Sequence, residues 1–389
     1  MVIGNFSFAK NPELHFGVGQ FKKLFCLIPQ YNGAVLIVTG ASSFRKSKNW
    51  KTLQQYLEEN DIASFKVQVS SEPSPELINS TVAKFKNENV KLVVGIGGGS
   101  VMDAGKAISA MLVLDDSIVN YLEGVGTKDH PGLKVPFIAV PTTAGTGSEA
   151  TKNAVISKVG KDGFKKSLRH DNFVPDYAIV DPELMIDCPA DITAACGMDA
   201  FTQLLESYTS DNANPLTDSL AFTALEFITK YLVEVYENGN NLDARTAVAY
   251  GSLISGMTLA NAGLGIIHGM ASPVGGYFNI PHGVFCGTVL APSIEMNIKK
   301  LNQNSENDPV LKKFAKVGNL FSKSESVEDG CNILIKRLYE LTEKLNMPKL
   351  SEYGIEEKDL ELIVKNTGNK NNPVKLTEEE IYEILKSRL

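Results

Sequence analysis

The length, composition and charge of the chain indicate a globular protein that acts on small molecules. A chain of 389 residues that is 43% hydrophobic can bury a sizeable core, and we expect it to divide into two domains. A disordered or fibrous protein is excluded. The formal net charge of -7, with no dense run of Lys or Arg, lacks the basic surface that binds nucleic acid or an anionic membrane.

The N-terminus and the cysteines indicate a cytoplasmic protein. Residues 1–21 lack the basic and apolar regions of a secretory signal, and no charge-free apolar run reaches the length of a membrane span. The cysteines are scattered and never occur as Cys-x-x-Cys, which argues against a disulfide framework and a structural zinc knot. We therefore expect free thiols at Cys26, Cys188, Cys196, Cys286 and Cys331.

The first half of the chain predicts an α/β fold with a parallel sheet. From residue 34 to about 180, short β-branched runs alternate with amphipathic helical stretches, which is typical of parallel strands joined by crossover helices. Predicted strands are 34–38, 67–69, 91–96 and 136–140, and predicted helices are 50–56 and the stretch opened by Ser74-Pro75-Glu76. The two later strands are nearly all apolar, as expected for central strands covered on both faces.

The second half of the chain predicts helices. Strand signals fade after Asp181-Pro182, and apolar residues then recur at the i, i+3 and i+4 positions of helices. Helical segments of this kind are 191–210, 216–236, 244–262 and 308–345. In the tail, Asn372-Pro373 breaks the chain, and Thr377 with Glu380 resembles a capping box that opens a last helix.

A glycine-rich turn follows the predicted strand 91–96. Gly97, Gly98, Gly99 and Ser100 join that strand to a segment with helical periodicity. Backbone N–H groups without obstructing side chains, at the N-terminus of a helix, form a site for a phosphate anion. The usual dinucleotide-binding motif is G-x-G-x-x-G after the first strand, whereas this turn has a different pattern and follows a third strand. Taken alone, the turn therefore fits an ordinary tight turn as well as it fits nucleotide binding.

A second polar loop follows the predicted strand 136–140. The stretch 141–149 combines glycines with the hydroxyl groups of Thr142, Thr143, Thr146 and Ser148. In an open α/β sheet, ligands bind in the crevice outside the carboxyl ends of the strands, so two such loops favour nucleotide binding. Ordinary loop capping by the threonines is the alternative.

Four residues in the helical half could hold a metal ion. Asp199 and Gln203 are four residues apart in a predicted helix and share one face. His268 and His282 are fourteen residues apart, and each precedes a glycine. A single histidine is more often a core or surface residue than a ligand, so this grouping is suggestive only.

These segments together resemble the iron-containing (group III) alcohol dehydrogenases. The resemblance rests on 97–103, 141–149, 268–271 and 281–283, which occur in the family's order, and it extends over the whole chain. It implies an α/β dinucleotide-binding domain over residues 1–182 and an all-α metal- and substrate-binding domain over residues 183–389, an architecture like that of dehydroquinate synthase. A homodimer is the implied assembly.

The resemblance implies a metal site that this chain matches in three of four positions. The family holds its metal with an aspartate, a histidine four residues later and two further histidines, which correspond here to Asp199, Gln203, His268 and His282. Ser272 stands where many members have a histidine near the substrate. An amide oxygen in place of an imidazole gives a harder ligand set, so we expect zinc slightly ahead of iron.

The resemblance also implies a cofactor site for NAD or NADP. Gly97, Gly98, Gly99 and Ser100 would hold the diphosphate, Asp103, Thr142, Thr143, Thr146 and Ser148 would line the cleft, and Lys165 matches a family lysine near the nicotinamide ribose. Members that prefer NAD often carry an acid where this chain has Gly40. The absence of an acid there, with Ser42, Ser43 and the basic Arg45 and Lys46 nearby, makes a 2′-phosphate acceptable but does not exclude NAD.

The expected activity is hydride transfer between a primary alcohol or aldehyde and the nicotinamide. Asp199, His268, His282 and Ser272 are the candidate catalytic residues. The unusual ligand set suggests a specialised substrate, for example the terminal hydroxyl of the sugar acid Kdo. Two alternatives stay open: a lyase-type relative of dehydroquinate synthase, and a nucleotide-binding paralogue whose metal site has decayed.

Overall fold

The computed structural model describes residues 4–161, 163–305 and 308–389. Eight strands are present: β1 Glu13–Phe16, β2 Ala34–Gly40, β3 Ser64–Val69, β4 Val90–Gly97, β5 Phe137–Pro141, β6 Asn153–Lys158, β7 Phe164–Arg169 and β8 Tyr177–Val180. The helices of the first half are α1 Lys23–Leu27, α2 Ser43–Lys46, α3 Lys48–Glu59, α4 Pro75–Phe85 and α5 Gly99–Met111. Those of the second half are α6 Ala190–Thr209, α7 Pro215–Glu237, α8 Leu242–Ala262, α9 Ile266–Tyr277, α10 His282–Asn304, α11 Pro309–Gly318, α12 Val327–Lys344, α13 Glu357–Lys365 and α14 Glu378–Lys386.

Six strands form a parallel sheet in the order β1-β8-β5-β4-β2-β3. Strands β2 and β4 are neighbours in the sheet. The strand after β2, β3, lies on the outer side of β2, and the strand after β4, β5, lies on the opposite side, next to β4, so the strand order reverses between β2 and β4. A crevice opens at such a reversal, outside the carboxyl ends of the two strands. Gly40 and Gly97, the last residues of β2 and β4, therefore mark the place where a dinucleotide is expected.

Apolar clusters cover both faces of the sheet, which explains the continuous hydrophobic runs in its central strands. Leu36, Val38 and Val93 pack on one face with α4 and α5. On the other face, Val35 and Ile37 pack with α1 and α3.

The prediction of the sheet is confirmed for its central strands and wrong for one region. The sequence predicts parallel strands through about residue 180, but β6 and β7 form a separate antiparallel hairpin. The edge strand β1 is not in the prediction at all. Its sequence, Glu-Leu-His-Phe, has no β-branched residue to indicate a strand.

The second half of the chain is helical, as predicted. Helices α6, α7 and α8 begin and end within two residues of the predicted segments, and Thr377 forms the predicted capping box with Glu380. The predicted segment 308–345 is instead two helices, because α11 ends at Gly318 and α12 begins after the N-cap Ser326. A domain boundary at residue 182 falls between β8 and α6 and stays a prediction.

Among the described residues, no single helix is long and apolar enough to cross a membrane. One consecutive pair, α8 and α9, meets these criteria of length and composition jointly, with a bend of 99° between its members.

The two halves of the chain touch where the second polar loop meets helix α8. Gly147 has φ +60°, a left-handed conformation that favours glycine. A Cβ on Gly256 of α8 would overlap the carbonyl oxygen of Gly147 and lie 2.9 Å from its Cα. The close approach of these two backbones therefore requires glycine on both sides.

We predict that Gly256→Ala destabilises the protein and displaces the loop 142–148. The added methyl group forces the two backbones apart, and overpacking of this kind costs about 1–3 kcal/mol. Urea unfolding and binding of NAD+ measure the two effects. Gly368→Ala is the matched control, since a Cβ there meets no atom within 4 Å. Equal unfolding midpoints for the two variants would contradict the prediction.

Candidate active site

A cleft of about 2270 Å³ lies between the sheet edge and the helical half. Its size exceeds that of a pocket for one small ligand, roughly 300–1,000 Å³, and suits a dinucleotide with a substrate. The predicted residues that line it are Gly40, Gly98, Gly99, Ser100, Asp103, Thr143, Thr146, Ser148, Lys165, Asp199, Gln203, His268, Ser272 and His282. The other predicted cofactor residues, Ser42, Ser43, Gly97 and Thr142, do not border it.

The glycine turn and the hydroxyl loop pack against each other. The amide of Thr142 donates to the carbonyl oxygen of Gly97 (2.8 Å), which joins the ends of β4 and β5. A Cβ on Gly99 would lie 2.7 Å from the side chain of Thr146, so only glycine allows this approach. No side chain in the described part of the chain caps the N-terminus of α5, which leaves its first amides free for an anion.

A buried polar network attaches the hydroxyl loop to α5. Ser148 Oγ donates to Asp103 Oδ1 (2.6 Å), and Lys106 Nζ donates to the carbonyl oxygen of Ser148 (2.8 Å) and to Thr151 Oγ1 (3.0 Å). Burial lowers the pKa of Lys106 to about 8, although Asp103 and Glu149 act in the opposite direction. Asp103 and Ser148 thus hold the loop in shape as well as bordering the cleft.

The end of β2 leaves room beside Gly40. A Cβ there would meet only Val101 Cγ2, at 4.0 Å. The nearby Arg45 donates to Thr39 Oγ1 (2.7 Å) and lies over the Trp50 ring, 5.7 Å from its centroid. Its guanidinium is therefore held at the strand end rather than projecting freely.

Lys165, on the hairpin strand β7, is fixed over helix α9. Its ammonium group forms an ion pair with Glu72, whose other oxygen accepts a hydrogen bond from Ser157 Oγ (2.6 Å). Burial raises the pKa of Glu72, but the charge of Lys165 and the hydrogen bonds from Lys165 and Ser157 together outweigh it, so the net pKa is lowered. A Cβ on Gly275 would lie 2.7 Å from Lys165 Cδ, so glycine makes room for the lysine.

Asp199, His268 and His282 converge at the floor of the cleft, from α6, α9 and α10 respectively. Asp199 Oδ1 lies 3.5 Å from His268 Nε2 and 3.6 Å from His282 Nε2. This oxygen is buried and has no hydrogen-bond partner among the described residues. Asp199 and His268 are almost fully buried, whereas the side chain of His282 is 26% exposed and faces the cleft.

Glu206 orients one of the two imidazoles. It lies on α6, two turns after Asp199, and His268 Nδ1 donates to its Oε2 (2.6 Å). Its other oxygen accepts from the amide of Ile267 (2.7 Å). Because Nδ1 is bonded to this carboxylate, Nε2 is the ring nitrogen that can bind a cation, as in the carboxylate–histidine pairs around protein metal ions.

Gln203 and Ser272 both stand next to this cluster. Gln203 is buried, its Nε2 donates to Asp199 Oδ2 (3.2 Å), and its Oε1 accepts from Ser255 Oγ (2.7 Å). In this arrangement the amide nitrogen, not the oxygen, faces the carboxylate. Ser272 lies one turn after His268 on α9 and borders the cleft. The ligand role of Gln203 stays a prediction.

Cys286 joins the cluster, which the sequence analysis missed. One donor atom each from Asp199, His268, His282 and Cys286 all lie within 4.8 Å of one another. Cys286 is four residues after His282 on the same helix, the same spacing that links Asp199 to Gln203. That four-residue spacing could have indicated Cys286 as a member of the site. No such spacing links Glu206 to His268, which lies 62 residues away in the sequence.

The charges within the cluster shift the pKa values of its members. Burial raises the pKa of Asp199, but the two imidazoles outweigh it, so the net pKa is lowered. Burial lowers the pKa of His268, but Cys286 and Glu206 raise it well above its ordinary value. Burial raises the pKa of Cys286, but His282 and His268 lower it overall. The donor set is therefore stabilised by positive charge, and it fits a divalent cation.

Comparison with known proteins identifies the family. A model of iron-containing alcohol dehydrogenases matches residues 11–182, and a model of the C-terminal part of the Fe-containing alcohol dehydrogenase family matches residues 193–389. The chain belongs to the iron-containing alcohol dehydrogenase family.

Individual members of the iron-containing alcohol dehydrogenase family agree with this assignment. Alcohol dehydrogenase 4 of Saccharomyces cerevisiae is 33% identical over 86% of this chain and 85% of its own length. The 1,3-propanediol dehydrogenase of Citrobacter freundii is 35% identical over 81% of each chain. The crystal structure of sulfoacetaldehyde reductase from Bifidobacterium kashiwanohense, in complex with NAD+, superposes with a TM-score of 0.83 at 26% identity, covering 99% of both chains.

The family assignment gives the class of reaction. The protein is an alcohol dehydrogenase of a family that uses a nicotinamide dinucleotide and a divalent metal. Hydride transfer is therefore favoured over both alternatives that the sequence left open, the lyase and the decayed paralogue. The two-domain architecture is also that of the family's solved structures, as predicted.

We predict that Glu206→Gln weakens binding of a divalent metal by about 10–100-fold, the usual cost of removing a carboxylate behind a ligating histidine. The glutamine keeps a hydrogen-bond acceptor for Nδ1 of His268 but loses the negative charge. Competition with a chromophoric chelator measures the affinity. Glu226→Gln, at an exposed position on α7, is the control. Equal metal affinity in the two variants would show that Glu206 does not support the ligand.

Proposed function

We propose that the protein transfers a hydride between a primary alcohol or its aldehyde and NAD(P), with a divalent ion at Asp199, His268 and His282. The observation that carries the proposal is the continuity of the cleft, which both polar loops and all three ligands border. The unpartnered oxygen of Asp199 supports the ion, because a buried carboxylate is stable only when it is paired. When bound, the ion lowers the pKa of an alcohol as a Lewis acid, and the nicotinamide accepts the hydride.

The chain's own residues position the reactants. The free amides at the start of α5, with Gly98, Gly99 and Ser100, bind the cofactor diphosphate. Lys165 packs beside Gly275 of α9 and borders the cleft, and we assign it to the nicotinamide ribose. With Ser272 in place of a family histidine, the proton of the alcohol leaves to this hydroxyl, to water or to the ribose. A homodimer stays a prediction.

We propose zinc rather than iron as the metal. Zinc accepts imidazole and carboxylate ligands and keeps an open position in catalytic sites. The histidine that would make the set more favourable to Fe²⁺ is replaced by Gln203.

Either nicotinamide dinucleotide is compatible with the end of β2. Among the described residues, no acidic side chain lies within 4 Å of a Cβ built at Gly40. However, Arg45 is already bonded to Thr39, and Ser42 and Ser43 lie outside the cleft, so little positive charge is free to select NADP.

The activity is tested with purified protein, NAD+ or NADP+, and a series of primary alcohols. We expect absorbance of the reduced nicotinamide to rise, and metal analysis to find zinc at one per chain. His282→Ala should lower kcat/KM by about 100-fold or more, since Lewis-acid stabilisation is worth several kcal/mol. The same variant should still bind NAD+ in calorimetry, because His282 lies apart from the glycine turn.

The control for this experiment is His15→Ala, which alters a histidine of β1 outside the cleft. Absence of nicotinamide turnover with every alcohol and aldehyde, in protein loaded with metal, would refute the proposed function.

We further propose that the substrate carries an acid group, as the sugar acid Kdo does. Lys166 and Arg169 of β7 and Lys370 border the cleft on the side of the metal ligands. Burial lowers the pKa of Lys370, and the nearby Arg169 and Lys166 lower it further, while Glu206 and Cys286 oppose the shift. Three neighbouring cations in a cleft favour an anion among them. Arg169 Nε also forms an ion pair with Glu123 Oε1, at 3.4 Å.

We predict that Lys370→Met raises KM for Kdo by about 10- to 150-fold and leaves KM for 1-propanol nearly unchanged, because the lost interaction is a charge-assisted hydrogen bond of about 1.5–3 kcal/mol. Steady-state kinetics with both substrates measures the split. Lys375→Met is the control, since Lys375 is exposed and lies outside the cleft. Good turnover of simple alkanols with no activity on sugar acids would overturn the acid-substrate proposal alone.

A further inference from the structure

The buried thiol of Cys286 lies between the two imidazoles of the metal site. Cys286 is one turn after His282 on α10 and is fully buried. Its Sγ lies 3.8 Å from His268 Nε2 and 3.8 Å from His282 Nε2. A cysteine that served only to fill the core would face apolar atoms, whereas this sulfur faces the two nitrogens that point at Asp199.

The separations between the donor atoms match those around one small ion. A tetrahedral Zn²⁺ with ordinary bond lengths separates nitrogen from oxygen ligands by roughly 3.4 Å and nitrogen from sulfur by roughly 3.6 Å. The observed nitrogen–oxygen separations are 3.5 and 3.6 Å, and both nitrogen–sulfur separations are 3.8 Å. The two remaining separations, oxygen to sulfur and nitrogen to nitrogen, are within 4.8 Å, so the four donor atoms surround one common point.

We propose that Cys286 is the fourth protein ligand of the metal ion and binds it as a thiolate. On binding, the S–H bond is replaced by a bond from sulfur to the ion, and the proton leaves to solvent. The proposal rests on the proposed function, since it concerns the same ion. Zinc in catalytic sites also accepts a fifth ligand, so four protein ligands are compatible with catalysis.

Gln203 then acts on the site through Asp199. Its Oε1 accepts from Ser255 Oγ and its Nε2 donates to Asp199 Oδ2, so both ends of the amide are occupied. We assign Gln203 as a positioning residue that holds the carboxylate with Oδ1 toward the imidazoles. This assignment replaces the ligand role predicted for Gln203 from the sequence.

The balance of charge supports a thiolate. Asp199 and Cys286 then carry two negative charges, which the divalent ion balances, and Glu206 is bonded to Nδ1 of His268. A buried site without net charge avoids much of the desolvation cost of an uncompensated ion. Thiolate is also a soft ligand, which favours zinc or cobalt over the hard ions Mg²⁺ and Mn²⁺.

Cobalt substitution tests the proposal by absorbance. The full-length protein is freed of metal with a chelator and reloaded with one equivalent of Co²⁺. We expect a thiolate-to-cobalt charge-transfer band in the near ultraviolet for the wild type, and its loss in Cys286→Ser. The band should persist in Gln203→Ala, because that variant keeps the sulfur ligand. Cys286→Ser should also bind zinc at least about tenfold more weakly, as expected for a lost ligand.

Two further thiols serve as controls. Cys331→Ser removes a buried thiol of α12 outside the site, and Cys26→Ser removes an exposed thiol that could bind cobalt nonspecifically. Both variants should keep the band. If Cys286→Ser does not fold, Cys286→Ala decides the question together with single serine variants of all four other cysteines, Cys26, Cys188, Cys196 and Cys331, because a band retained in each of these excludes every other thiol.

The outcomes separate this proposal from the proposed function. A wild type that binds one Co²⁺ per chain without the band, or a band that persists in Cys286→Ser, overturns the thiolate ligand while nicotinamide turnover stands. A protein that binds neither Co²⁺ nor Zn²⁺ overturns both.

Discussion

The arrangement of the site depends on one buried carboxylate. Asp199 Oδ1 lies inside the helical half, near two imidazole nitrogens and without a hydrogen-bond donor in the described ranges. Leaving such a charge unpaired costs several kcal/mol, so the surrounding groups must supply positive charge. Helix packing brings them there: a Cβ on Gly283, the residue after His282, would overlap the carbonyl oxygen of Ala195 on α6. Helix α10 can therefore approach Asp199 only because residue 283 is a glycine.

The two halves of the chain each supply one wall of the cleft. The sheet contributes the glycine turn and the hydroxyl loop, and the helices contribute Asp199, His268 and His282, the ligands of the proposed metal ion. The contact of Gly147 with Gly256 and the buried Lys106 network fix the hydroxyl loop from both sides. Neither half alone contains both the proposed nicotinamide site and the proposed metal site, so the proposed hydride transfer requires the two walls to be held together.

Much of the fold and of the candidate site could be predicted from the sequence, and the features that could not be predicted depend on packing between elements. Central strands and amphipathic helices show in their periodicity, and the glycine turn and hydroxyl loop show in their composition. The strand β7, with three basic residues in six, has none of the apolar alternation of a half-buried strand. Glu206 meets His268 through packing between α6 and α9, which no local pattern encodes, and Cys286 offered only its four-residue spacing from His282. From the sequence alone, a buried cysteine is interpreted as a small core residue, because its neighbours are not known.

The open space at the end of β2 bears on how this enzyme can change over evolutionary time. Since a Cβ at Gly40 would meet only one methyl group, at 4.0 Å, the first carbon of an aspartate side chain fits there without rearranging the strand. A single base change converts a glycine codon to an aspartate or glutamate codon. The electron carrier that a lineage draws on is therefore open to selection through one mutation, independently of the metal chemistry on the opposite wall.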